Sequence, residues 1–114
     1  MVSAIYEDKD KNLWLGTFDA GMNLYDESKQ KFIRFKNDPN DKNSLSHNQV
    51  MEFLEDSNGR FWVATFGGGV NLFDRRTKKF SSIKSDSKFP IKPDNLSIRK
   101  LFEDNAAFWV GTYS

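Results

Sequence analysis

Residues 54–66 read Leu-Glu-Asp-Ser-Asn-Gly-Arg-Phe-Trp-Val-Ala-Thr-Phe, and the chain states this stretch three times. Residues 6–18 are YEDKDKNLWLGTF and residues 102–113 are FEDNAAFWVGTY. Trp62 follows Trp14 by 48 positions (62 − 14), and Trp109 follows Trp62 by 47 (109 − 62). The missing residue falls in the polar stretch between Asp104 and Trp109, where a deletion costs least. After the first two copies come GMNLYD and GVNLFD, and then Lys-Phe in both. Self-similarity at a period of roughly 40–50 residues is the mark of a repeat architecture, so the fold is read from the unit and its neighbours together.

Each unit reads as four short strands broken by turn chemistry, a pattern that fits no helix pair. The first unit predicts strands over Val2–Tyr6, Leu13–Phe18, Met22–Tyr25 and Phe32–Lys36, and the second repeats them from Val50, Phe61, Val70 and Phe80. The third supplies two, Ile98–Phe102 and Phe108–Tyr113. Asp8–Asn12 and Asp56–Arg60 are tight polar hairpins, with Gly59 free to take a positive φ. Leu13, Leu15 and Thr17 alternate with Trp14, Gly16 and Phe18, so both faces of this strand are apolar. A half-solvated sheet would carry polar residues on one face, and the expectation is cover on both sides by neighbouring sheets. The small residue two places after each Trp (Gly16, Ala64, Gly111) leaves room for close approach. Repeated four-stranded antiparallel sheets stacked face to face are propeller blades. The predicted fold is all-β, a β-propeller fragment with one blade over 1–49, a second over 50–97 and the first half of a third over 98–114.

Composition narrows the chemistry. The 114 residues carry 17 Lys and Arg against 16 Asp and Glu, a net charge of +1 that gives no field for gathering nucleic acid or an anionic membrane. Eleven Phe and three Trp are enough for a core. The absence of Cys removes thiolate nucleophiles, disulfides and cysteine zinc sites, and leaves the compartment unmarked by redox chemistry. No apolar run approaches the roughly 18 residues of a membrane span, and the N-terminus lacks a signal-peptide pattern.

The units resemble the two-component regulator propeller repeat, found in the periplasmic sensor of hybrid histidine kinases of gut Bacteroidetes. The stretch LSHNQVMEFLEDSNGRFWVATFGGGVNLFDRRTKKF carries the resemblance through its joint spacing: an LSxNxV opening, an acidic-Asp pair, the Trp strand, a Gly-Gly-x-Asn-x-Phe-Asp segment and Lys-Phe. The resemblance covers essentially the whole chain. Departures are Asp19-Ala20 in place of a Gly pair, the turn Asn105-Ala106-Ala107, and FPIKPDNLSIRK before the last unit. The turn Asp56-Ser57-Asn58-Gly59 is also similar to the Asp-box of sialidase propellers, a turn-stabilising motif in that family.

Several constellations have a chemical reading that the residues argue against. Asp8-Lys9-Asp10-Lys11-Asn12 copies the opening of a calcium loop, but Leu13 stands where that loop needs Gly, and Trp14 follows where ligands should be. The paired carboxylates Glu7-Asp8, Glu55-Asp56 and Glu103-Asp104 recur at one place in every unit. A catalytic acid and base need two different environments, so these Asp residues are expected to bond turn N–H groups. Gly67-Gly68-Gly69 has no Lys-Ser/Thr or helix after it and reads as a strand connection. The basic run Arg75, Arg76, Lys78 and Lys79 reads as a solvated edge that discourages strand addition.

His47, the only His, excludes a triad or metal site built on several imidazoles. It lies in the connection between the two complete units, on the rim opposite the short hairpins. That rim gathers Phe18, Asp19, Ser46, His47, Asn48, Phe66, Gly67 and Gly68, together with Asn95 and Tyr113. Aromatics beside Asn, Asp and His suit stacking on sugar rings and hydrogen bonds to hydroxyls. Trp14, Trp62 and Trp109 are the expected structural core. The resemblance implies a non-catalytic piece of a periplasmic sensor, anchored in the inner membrane only through its parent. It implies an oligosaccharide ligand, with signalling to polysaccharide-utilisation genes through a cytoplasmic histidine kinase. No cofactor, metal or nucleic acid partner is expected. A propeller lyase or glycosidase and a protein-interaction scaffold are the alternatives. The sequence stops directly after a second strand, which predicts further blades in the natural chain and self-association of this one through uncovered faces bearing Leu15, Phe18, Val110 and Tyr113.

Overall fold

The computed structural model describes residues 2–83 and the backbone of 98–103 and 108–112. Strands β1 (Val2–Glu7), β2 (Leu13–Thr17), β3 (Met22–Asp26) and β4 (Lys31–Phe35) form one antiparallel sheet in chain order. Strands β5 (Val50–Glu55), β6 (Phe61–Thr65), β7 (Val70–Asp74) and β8 (Lys79–Ile83) form a second, also in chain order. Strands β9 (Ile98–Glu103) and β10 (Phe108–Thr112) pair as a third. The unit expected from the repeat is the unit observed. The segment 89–97 before the last unit and the turn 105–107 lie outside the described residues.

Register explains the packing, since residues paired across antiparallel strands share a face. Tyr6, Trp14 and Leu24 line up in the first sheet, as do Ala4, Gly16, Met22 and Phe35 in the adjacent row on the same face. In the second sheet the opposing face carries Phe53, Phe61, Val63, Phe73 and Phe80. The two faces meet in one core, with Trp14 5.1 Å from the Phe61 ring and edge-on to Phe73 at 5.5 Å. Offset and tilted ring pairs of this kind add to the area each aromatic removes from water. Gly16 is required at the closest approach: a Cβ there would stand 2.7 Å from Val50 Cγ1. An irregularity in β1 between Val2 and Ala4 recurs in β5 between Val50 and Glu52, so each innermost strand bends at the same place.

Cover on both sides holds for β6, whose five residues are all buried, because β9 packs against β5 and β6 on the side away from the first sheet. It fails for β2. Leu13 and Leu15 are only half-buried, since among the described residues no sheet covers that side. Ile5, 68% exposed, and Phe32, 57% exposed, lie on this open face. Val110 and Tyr113 were expected among the exposed apolar residues. The Val110 side chain and Tyr113 lie outside the described residues, and Phe18 is 40% exposed.

Candidate functional site

The two ends of the sheets differ in chemistry. At the hairpin end, Asp8 Oδ1 accepts from the backbone N–H of Asp10 and Asn12 at 3.0 and 2.9 Å, and Asp56 Oδ1 accepts from Asn58 and Arg60 at 2.9 and 2.8 Å. The other oxygen of each carboxylate accepts the indole N–H, Trp14 to Asp8 and Trp62 to Asp56, both at 2.9 Å. Burial alone pushes both carboxyls up. The bonds from Trp14, Asn12 and Arg75 to Asp8, and from Trp62 and Arg60 to Asp56, outweigh it and hold both below the ordinary carboxylate range. An acid held ionised, buried and fully occupied by turn and indole donors has no lone pair directed at a substrate. These aspartates build the hairpins. The sequence reading anticipated the turn bonds and missed the indole, although the spacing of six from Asp8 to Trp14 and from Asp56 to Trp62 signals it.

Arg75 corrects the reading of the basic run as a solvated edge. Its side chain is 23% exposed, and Nη1 donates to Asp8 Oδ2 at 3.1 Å and to Glu55 Oε2 at 2.8 Å while Nη2 donates to Gly59 O at 3.0 Å. Both acids are almost fully buried at the seam between the first two sheets, so the guanidinium compensates two desolvated charges at once. It also stands 5.0 Å over the Phe61 ring. Periodicity could not reveal it, because the first unit has Glu27 at the matching position.

At the other end three connections form one hydrogen-bonded rim. Gly21 N donates to Asn48 O, and Phe66 N donates to Gln49 O, both at 2.9 Å. Ser46 Oγ donates to Gly68 O and accepts from Asn71 Nδ2, each at 2.7 Å, and Asn48 Oδ1 accepts from Asn37 N at 2.7 Å. Ser46 and Asn48 therefore use their side chains to hold the rim. His47 Nδ1 accepts from Gln49 N at 3.1 Å, which in the neutral ring leaves the proton on Nε2. The ring lies on Gly67, where a Cβ would come within 3.2 Å of it. Gly67 takes φ 110° and Gly69 φ 75°, values that favour Gly and fit the reading of this triplet as a connection. Phe18, Asp19, His47 and Gly67 are exposed on the rim, and Phe66 is half-buried. Asn95 and Tyr113 lie outside the described residues.

A cavity of about 450 Å³ opens at the hairpin end instead, lined by Gly59, Arg60, Phe61, Leu72, Phe73, Asp74, Arg75 and Arg76. Two of its three arginines are bound to buried acids, so it offers less unsatisfied polar chemistry than the rim. Among the described residues no group of three or more His, Asp or Glu could hold a metal ion, and no helix is long and apolar enough to cross a membrane.

The two component regulator propeller family matches residues 1–19 and 44–67, which span β1, β2, the rim connection, β5 and β6. These segments resemble two-component regulator propeller repeats. The propeller repeats superpose on the extracellular domain of BT4673 of B. thetaiotaomicron, described as a hybrid two component system, with a TM-score of 0.77 and 22% identity over 97% of this chain and 15% of that one. They likewise match the extracellular domain of the hybrid two component system BT3049 of the same organism, with a TM-score of 0.71 and 28% identity over 97% and 13%. The chain thus spans 13–15% of the length of these structures. No curated protein matches the sequence.

Proposed function

We propose that these repeats belong to the periplasmic, ligand-sensing propeller of a hybrid two-component sensor histidine kinase anchored in the inner membrane. The ligand is an oligosaccharide, and the response is control of polysaccharide-utilisation genes. The observation that supports this reading best is the likeness, over 97% of the chain, to extracellular domains of hybrid two component systems. The rim adds a chemical argument: exposed Phe18 provides a stacking face, while Asp19 and His47 provide an acceptor and a donor for hydroxyls. Ser46 and Asn48 hold that surface in place, and Phe66, Gly67 and Tyr113 complete the proposed contact set. The chain itself has no catalytic role. A propeller lyase or glycosidase would need an asymmetric carboxylate pair, and of the paired acids Asp8 and Asp56 are consumed by turns while Glu55 is held by Arg75. A ligand acts here by population shift, binding one arrangement of the sensor more tightly than another.

The test is calorimetric titration of the complete sensor domain with a panel of oligosaccharides, before and after His47→Ala and Phe18→Ala. Loss of binding with an unchanged melting temperature supports the rim. Normal affinity in both variants, together with loss on substituting Lys9 and Asn58 at the hairpins, puts the site at the opposite end. Absence of any saccharide binding favours the scaffold reading.

A further inference from the structure

We propose that the propeller blade covering the open face of the first sheet must carry Arg or Lys at the fourth position after its turn aspartate. The apolar part of the argument is symmetry. Ile5, Leu13, Leu15, Tyr25 and Phe32 occupy the positions of Phe53, Phe61, Val63, Phe73 and Phe80, displaced by 48 (53 − 5). In the second sheet those five residues are buried or nearly so against the first sheet. Among the described residues the same surface stands uncovered on the first sheet, so the sheet that fits it is one shaped like the first sheet's inner face.

Charge then selects among such sheets. The seam between the first two sheets brings together the turn aspartate of one, Asp8, and the glutamate before the turn of the next, Glu55, with Lys9 N also donating to Glu55 at 2.9 Å. One base, Arg75, serves both acids. On the open face the place of Glu55 is taken by Glu7 and the place of Arg75 by Glu27, neither with an ion pair among the described residues. A docking sheet would bring its own turn aspartate to this seam, making three acids with no base supplied from those two places. Like charges brought together out of water oppose docking. The second sheet shows how a blade supplies the base itself: Arg60, four residues after Asp56, bonds that carboxylate through Nε at 2.7 Å while its side chain stays 43% exposed. The first sheet has Asn12 there. A blade of the Arg60 kind neutralises its own aspartate and still presents a cation to Glu7 and Glu27. A second copy of this chain meeting the face with its own would set the same glutamates against each other.

The test uses the full chain extended at its N-terminus by a copy of residues 50–83 followed by a copy of residues 36–49, which rebuilds the observed sheet-to-sheet connection ahead of Val2. Urea unfolding is compared for this extension, for the same extension carrying Arg60→Glu in the grafted copy, and for the unextended chain. The Arg60 graft raises the unfolding midpoint. Arg60→Glu in the graft weakens the folded state on the order of tenfold or more in the unfolding equilibrium. Adding Glu27→Lys to that variant restores it, because the lysine takes the place Arg75 holds at the next seam. Equal midpoints for the Arg60 and Arg60→Glu grafts, or no rescue by Glu27→Lys, overturn the charge requirement. An Arg60 graft that does not stabilise the chain overturns the docking face itself.

Discussion

The indole of Trp62 donates to Asp56 Oδ2 at 2.9 Å, from a ring that is 0% exposed to a carboxylate that also closes its own hairpin. One residue pair thus ties the core of a blade to its turn. Trp62→Ala removes a large buried ring and is expected to cost on the order of 3–5 kcal/mol, enough to abolish cooperative unfolding of a chain this small. Trp62→Phe keeps part of the ring volume and leaves Asp56 without its indole donor, at a cost of roughly 1–3 kcal/mol. An unchanged melting curve for Trp62→Ala would remove Trp62 from the core.

Acid should unfold the protein through these same aspartates. Asp8 and Asp56 titrate below the ordinary range in the folded state. The unfolded chain therefore takes up protons first, and the stability these groups contribute is complete above about pH 4 and lost as pH falls through their lower folded-state values. Urea midpoints measured from pH 6 downward should fall below pH 4. Asp56→Asn should start lower and lose less over the same interval. Parallel curves for the two proteins would mean that Asp56 contributes nothing to the acid limb.

Gly16 and Ala64 occupy matching positions on β2 and β6, yet they are not interchangeable. Gly16→Ala drives a methyl group to 2.7 Å from Val50 Cγ1 and is expected to destabilise by roughly 1–3 kcal/mol. Lys11 makes the opposite case. It holds φ 67° where the second hairpin has Gly59 at φ 80°, so Lys11→Gly relieves backbone strain and should raise stability by up to about 1 kcal/mol after the entropy of the added glycine. Denaturant midpoints of the two variants should move in opposite directions.

The 114-residue chain should associate with itself in solution through the surface bearing Ile5 and Phe32. Glu7 and Glu27 border that surface, so salt should strengthen the association by screening them. Ile5→Asp should give a monomer by sedimentation across a concentration range. A monomeric parent chain at high concentration would show that this face needs no cover.

Period and alternation made the blades legible, because every unit must solve the same packing problem with the same residue types: Trp14 and Trp62 at one register position, Asp8 and Asp56 at one turn. What escaped the sequence lies where the units differ. Arg75 has Glu27 as its counterpart, and a residue that occurs once leaves no periodic trace, although it joins two blades. The rim was legible in outline from the order of the connections. Its division of labour was not, because Ser46 and Asn48 are committed to Gly68, Asn71 and Asn37 by loop geometry that spacing does not encode.

The chain-order pairing within each sheet has a consequence for birth on the ribosome. All four strands of the first sheet lie within residues 2–35, so it can close as soon as they emerge. Its inner face, with Trp14 and Met22, is not covered until β5 through β8 follow, ending at Ile83. At about 5–20 residues per second that interval lasts roughly 2–10 s. For those seconds the emerging chain leaves an aromatic sheet face uncovered, which makes the gap between the two sheets the period in which a chaperone that grips apolar surface has its opportunity.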